Sequence, residues 1–157
     1  MRTAACARPA QNGARSDDAP DPGGGDVHSA EASLVLVVSD DAALRRSLAL
    51  LLRASGLATQ DFASSTAVLK SLVATPAARR RCCLLVDHHL PGGTDGLRLL
   101  QDLAAVAVTV PVVLLADWAS LELRRRAGAA GAAAVLQKPL LQDSIVQAIS
   151  DALAGAG

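Results

Sequence analysis

Apolar residues fall along this chain in two alternating patterns. Short unbroken runs, LVLVV at 34–38, CLLV at 83–86 and VPVVLLA at 110–116, are each bounded by turn-forming or polar residues. Runs of that length read as strands buried on both faces of a parallel sheet. Between them the apolar positions spread to helical spacing. Leu44, Leu48, Leu51 and Leu52 recur at i, i+4, i+7 and i+8, a stripe of 3.6-residue period, with Gly56 as its stop. Val68, Leu69, Leu72 and Val73 form the inward face of a second helix, capped by Ser64 or Ser65 and ended at Thr75-Pro76. Leu97, Leu100 and Leu103–Ala104 mark a third helix and Leu121 to Ala129 a fourth. The fifth runs from Gln142 to Ala154, with Ile145, Val146 and Ile149 inward. Weaker strands are read at Leu57–Phe62 and Gly131–Leu136. Pro111 stands near a strand start, where a missing N–H donor is tolerated.

Five strands alternating with five helices predict an α/β fold. The expected form is a doubly wound, flavodoxin-like (βα)5 parallel five-stranded sheet of order 2-1-3-4-5, with helices on both faces. In such sheets ligands and chemistry gather at the carboxyl ends of the strands. There strands 1, 3 and 5 present Asp40, Asp87 and Lys138. Two carboxylates brought together repel. Mg²⁺ resolves that, taking one or two carboxylates together with waters and phosphate oxygens. A lysine adds a point charge for a phosphate. Asp87 as nucleophile, Mg²⁺ as Lewis acid and Lys138 as counter-charge make a site for phosphoryl transfer to a carboxylate. Asp41, next to Asp40, reads equally well as the N-cap of the first helix.

Composition narrows the partners. Fifteen basic and fifteen acidic residues cancel, so no strong pull toward nucleic acid or an anionic membrane is implied. Phe62 and Trp118 are the only aromatics of the Phe, Tyr and Trp class; the core is therefore aliphatic and a base-stacking surface is not expected. No apolar run approaches the ~20 residues of a membrane span, and the first residues lack the apolar core of a secretory signal. Cys6, Cys82 and Cys83 suit neither a disulfide framework nor zinc-ligand spacing, and buried, reduced thiols in a cytoplasmic protein are the plain reading. Residues 1–32 are rich in Ala, Pro, Gly and Asp without apolar periodicity. They are expected to form a disordered tail, in which His28 has no role, ahead of a folded domain at 33–155.

The segments VLVVSDDAALRRSLALLLRASGL, LLVDHHLPGGTDGLRLL, VPVVLLA and AGAAAVLQKPL, in that order and at that spacing, resemble the response-regulator receiver domain of two-component signalling. The resemblance covers about 34–154. It implies that Asp87 is the phospho-acceptor, served by a sensor histidine kinase or a phosphotransfer protein. It implies that Asp40 contacts Mg²⁺ directly, that the main-chain carbonyl of His89 is the third protein ligand, that Lys138 binds the phosphoryl group, and that the bond to Pro139 is cis. The chain also departs from the family pattern. Ser39 stands where an acid usually holds the metal through water, so weaker Mg²⁺ binding is expected. Ala116 replaces the switch Thr or Ser, and Val135 replaces the switch aromatic. The loop after Pro91 is one residue longer, at Gly92–Asp95. What is implied is a stand-alone receiver of the bacterial cytoplasm, with no DNA-binding domain and no membrane segment. It would have no enzyme activity beyond self-phosphorylation and autodephosphorylation at Asp87. Its signal would pass to an unnamed downstream protein through the face of helix 4, strand 5 and helix 5, which carries Leu121, Arg124, Arg125 and Arg126.

Three other readings bear on the same residues. A degenerate receiver would bind its partner without phosphorylation; Ser39, Ala116 and Val135 favour it, whereas Asp87, Asp40 and Lys138 oppose it. An Asp-nucleophile phosphatase would resemble D-x-D, but the third strand ends in Asp87-His88-His89, with no acid in the second place. A flavodoxin-like cofactor binder needs a phosphate-cradling loop after strand 1, where Ser39-Asp40-Asp41 puts negative charge instead. His89, two residues past Asp87, is expected to tune how long an acyl phosphate lasts, and His88 to do nothing. Trp118 reads as a partly buried surface indole, and Arg79, Arg80 and Arg81 as a solvated loop.

Overall fold

The computed structural model describes residues 33–156 except Arg80, Pro91 and Gly93; the expected tail at 1–32 lies outside them. Each strand is followed by a helix. The elements are β1 (Leu34–Val38), α1 (Ala42–Ala54), β2 (Ala58–Phe62), α2 (Ser65–Ala74), β3 (Cys82–Asp87), α3 (Gly96–Ala105), β4 (Val112–Ala116), α4 (Leu121–Ala129), β5 (Ala134–Gln137) and α5 (Gln142–Ala156). A 3₁₀ turn, Pro76–Arg79, precedes β3. All pairings are parallel and the sheet order is β2-β1-β3-β4-β5, the expected 2-1-3-4-5.

Alternation along each strand divides the core in two. Leu36, Val38, Leu84, Val86, Val112 and Leu114 point to one face and pack with Val68 and Leu72 of α2, Leu97, Leu99, Leu100 and Leu103 of α3, and Leu123 and Ala127 of α4. Val35, Val37, Cys83, Leu85, Val113 and Leu115 point to the other, against Leu48 and Leu52 of α1 and Ile145, Ile149 and Ala152 of α5. The adjacent thiols thus enter opposite cores. Burial pushes Cys82 up to about 11. Burial, with a smaller contribution from the charge of Cys82, pushes Cys83 up to about 12.

Side-chain caps set the helix starts. Asp41 Oδ1 accepts from the N–H groups of Ala43 and Leu44 at 2.9 and 3.1 Å, so Asp41 is the α1 cap. Ser64, Asp95 and Ser120 cap α2, α3 and α4 in the same way. Several sequence expectations are corrected. Val73 is 49% exposed, one step round α2 from the inward Leu72. Leu99 is buried and Ala104 is exposed, because α3 buries a face centred on Gly96, Leu99, Leu100 and Leu103. β5 starts at Ala134 rather than Gly131: the Ala132 N–H closes the end of α4 on Ala127 O at 2.8 Å, and Gly131 takes φ +103° to make that turn. β2 starts one residue late at Ala58, β4 two residues late at Val112, and α5 runs two residues longer.

Candidate functional site

Register brings the site together. Val38 lies opposite Val86, Asp87 opposite Leu115, and Ala116 opposite Gln137. The next residues, Ser39 and Lys138, therefore leave the sheet at the same edge as Asp87. The ladder extends to this edge, with Ser39 N–H donating to Phe62 O at 3.1 Å and Lys138 N–H to Ala116 O at 2.8 Å. β5 lies two strands from β3, about 10 Å away, and the Lys138 side chain spans the end of β4 to reach Asp87.

Asp87 is 5% exposed, and donors surround its carboxylate. Oδ1 accepts from Lys138 Nζ at 3.2 Å and from His89 N–H at 3.3 Å. Oδ2 accepts from Ser39 Oγ at 3.1 Å and Lys138 Nζ at 3.3 Å. A buried carboxylate is tolerated only when paired and hydrogen-bonded, and Asp87 meets both conditions. Ser39, 1% exposed, also accepts from Asp41 N–H at 3.1 Å, which fixes its hydroxyl toward Asp87. Arg45 secures the loop from behind, donating to Ser39 O at 2.7 Å and to Asp61 Oδ2 at 2.8 Å.

The other sequence candidates are placed as follows. Asp40 follows Ser39 with its side chain exposed. The Lys138–Pro139 peptide is cis. Ala116 is buried at the end of β4 and Val135 is half-buried in β5. Trp118 is 71% exposed rather than partly buried. Arg124 is not simply displayed: its Nε donates to Ala119 O at 3.2 Å and its Nη1 to Val135 O at 2.9 Å. Of the Arg79–Arg81 run, Arg79 donates to Leu72 O and Arg81 to Ser33 Oγ, while Arg80 lies outside the described residues. His88 is half-buried beside His89, ring centroids 5.3 Å apart. Burial lowers the His88 pKa, opposed by the nearby carboxylates of Asp95 and Asp87. Its Nδ1 is buried without a hydrogen-bond partner among the described residues.

The sequence reading missed two residues. Asp117 Oδ1 lies 3.5 Å from Lys138 Nζ, and Gln137 Oε1 accepts from Ala119 N–H at 2.9 Å. Each is a single polar residue at a strand end, which sequence pattern alone assigns to loop.

Among the described residues no three His, Cys, Asp or Glu side chains cluster so as to hold a metal ion. The structure joins the Asp87 carboxylate and the Ser39 hydroxyl at this edge; the exposed Asp40, next to Ser39 in sequence, and the main chain of His89, two residues past Asp87, add oxygens on the flanking loops. Mg²⁺ takes one or two carboxylates and keeps several waters. Oxygen donors of this kind suit that ion, and Ser39 brings a hydroxyl rather than a carboxylate to Asp87. No helix of the described residues is long and apolar enough to cross a membrane.

Comparison with known proteins gives one consistent answer. Residues 35–150 match the sequence family described as the response regulator receiver domain. The chain is 30% identical over 126 residues to nodulation protein W of Bradyrhizobium diazoefficiens, covering 80% of this chain and 53% of that protein. It is 35% identical over 119 residues to the transcriptional regulatory protein FixJ of Azorhizobium caulinodans, covering 76% and 54%. The chain thus spans about half the length of the curated relatives it matches. Among solved structures, FixJ-N superposes with a TM-score of 0.67 at 25% identity, over 78% of this chain and 94% of that one.

Proposed function

The chain belongs to the response regulator receiver domain family of bacterial two-component systems, and on that premise we propose that Asp87 accepts a phosphoryl group from the phosphohistidine of a sensor kinase or phosphotransfer protein. The observation that carries this reading is the buried Asp87 carboxylate, held at the sheet edge within 3.2–3.3 Å of Lys138 Nζ. An Asp87 oxygen attacks phosphorus and forms the new O–P bond. The N–P bond to the donor imidazole breaks, and the nitrogen leaves with the electron pair and takes a proton. Lys138 faces the charge that builds on the transferring oxygens. Ser39 and the His89 N–H hold the carboxylate in place, so no large reorganisation is needed at the moment of transfer. Mg²⁺ would be held by Asp40, Asp87, the His89 carbonyl and, through water, Ser39, and when bound it neutralises phosphate charge as a Lewis acid.

Receiver domains of this family act with histidine kinases and with downstream proteins rather than as enzymes on small substrates. We therefore place this one in the cytoplasm, with signalling by protein contact and turnover limited to its own acyl phosphate. The second reading, a receiver that binds its partner unphosphorylated, is favoured by one observation: a hydroxyl, Ser39, fills the place of an acid beside Asp87.

Intact mass after incubation with Mg²⁺ and acetyl phosphate tests the two. A gain of one phosphoryl group that requires Mg²⁺ and is absent from Asp87→Asn is expected. No gain in a folded sample, with another receiver labelled in parallel, would overturn the acceptor reading and favour the second.

A further inference from the structure

Lys138 serves two carboxylates. Its Nζ lies 3.2 and 3.3 Å from the Asp87 oxygens and 3.5 Å from Asp117 Oδ1. The side chain of Asp87 is 6% exposed and that of Asp117 71%. Asp117 opens the loop between β4 and α4, and the chain is anchored on both sides of it. Before it, Ala116 is buried in the sheet and its carbonyl accepts from Lys138 N–H. After it, Ala119 is pinned twice: its N–H donates to Gln137 Oε1 and its carbonyl accepts from Arg124 Nε. Between these anchors lie two exposed residues, Asp117 and Trp118.

We propose that Asp117, acting through Lys138, is the residue by which this chain transmits phosphorylation: it shares the lysine while Asp87 is free and is released outward when a phosphoryl group takes the lysine. The inference rests on Asp87 being the acceptor. When Asp87 attacks acetyl phosphate, an Asp87 O–P bond forms, the P–O bond to the acetyl group breaks, and acetate leaves with the electron pair. The carboxylate becomes an acyl phosphate, with more negative charge on oxygens that project further toward the lysine. One cation between two anions moves to the stronger. Asp117 then loses its counter-charge and faces a like charge across the same gap. Ala116 carries only a methyl, so no side-chain hydroxyl at the end of β4 can bond the phosphoryl group and hold the loop. Repulsion at Asp117 is left to act, with the opposite sign. The movement is confined to Asp117 and Trp118 because Gln137 and Arg124 hold Ala119.

Trp118 is the single tryptophan of the sequence and reports on this segment directly. The test follows the full chain by intact mass and tryptophan fluorescence, with Mg²⁺ and acetyl phosphate, in the wild type, Asp117→Asn and Asp87→Asn. The expected result is a fluorescence change in the wild type that rises with the phosphoryl mass, is lost in Asp117→Asn although that variant is still labelled, and is absent from Asp87→Asn. A labelled wild type without a fluorescence change would overturn the proposal, as would a labelled Asp117→Asn that keeps the change. Loss of labelling in Asp117→Asn would also overturn it, by placing that residue in the acceptor chemistry rather than in transmission. An unlabelled wild type would defeat the acceptor reading itself, and the mass measurement tells that outcome from the others.

Discussion

Ser39 sets the charge of the site. Its hydroxyl donates to Asp87 from a position that is 1% exposed, so an acid there would put a second carboxylate against the first with Lys138 as the shared cation. Ser39→Asp is therefore expected to destabilise the metal-free protein, by on the order of 2–4 kcal/mol, because a buried charge gains too little from a cation already engaged. The same variant should bind Mg²⁺ roughly tenfold more tightly, since affinity follows ligand charge. Thermal melting with and without Mg²⁺ checks both: the Mg²⁺-dependent rise in Tm should be larger in the variant. An equal rise in both proteins would mean that Ser39 does not face the metal. The cysteines give a pH dependence. Cys82 and Cys83 are pushed up from an ordinary 9.0 to about 11 and about 12 by burial. Above pH 9 the unfolded chain releases thiol protons that the folded chain keeps. Stability is thus complete below pH 9 and falls above it, by up to about 1.4 kcal/mol per pH unit for each thiol. Urea midpoints between pH 8 and 10 should show the decline, flattened in Cys82→Ala/Cys83→Ala. An equally steep decline in that double variant would remove the thiols as its cause.

At the level of elements, the central strands were legible and the edges were not. β1, β3 and β4 are covered on both faces, so they read as unbroken apolar runs. β3 is buried along all six residues. β2 and β5 are edge strands with no fully buried residue, ATQDF exposed or half-buried throughout and AVLQ half-buried up to an exposed Gln137, which blurs their limits. Leu99 escaped the helical pattern because α3 buries more than a narrow stripe. The closeness of α3 to the sheet has a further consequence. A Cβ at Gly96 would come within 2.4 Å of Leu114 Cδ1 and 3.4 Å of His88 Cα. Leu114 is fully buried, so its side chain has little room to yield. Gly96→Ala should cost about 1–3 kcal/mol. It should also disturb the Gly96 N–H bond to His88 O, one residue from Asp87. Chemical denaturation and the phosphorylation rate measured together should both fall. A loss of stability without a loss of rate would separate α3 packing from the site.

For the whole molecule, what the sequence made legible was that Asp87 and Lys138 share one sheet edge, because each lies at the carboxyl end of a strand. The connections across that edge were not legible. Asp117, Gln137 and the backbone bonds of Arg124 depend on which strands are neighbours, and spacing along the chain does not reveal it. In the transmission proposed above, these connections limit how far a signal spreads. α4 buries only Leu123 and Ala127, few contacts for a nine-residue helix, and a helix so lightly packed is a candidate for local opening. Arg124 offsets this by binding Ala119 O and Val135 O at once, which ties α4 both to its preceding loop and to β5. If the loop is released only between its anchors, α4 keeps its place when Asp87 carries a phosphoryl analogue. Hydrogen exchange with beryllofluoride and Mg²⁺ should then leave the amides of 121–129 unchanged in the wild type. Arg124→Ala should make the same amides exchange faster and become sensitive to the analogue, because the tie that isolates the helix is gone. A wild-type α4 that responds as strongly as the variant would mean that the arginine does not confine the change, and that the signal spreads through the α4–β5 face despite the absence of a hydroxyl at Ala116 and an aromatic ring at Val135.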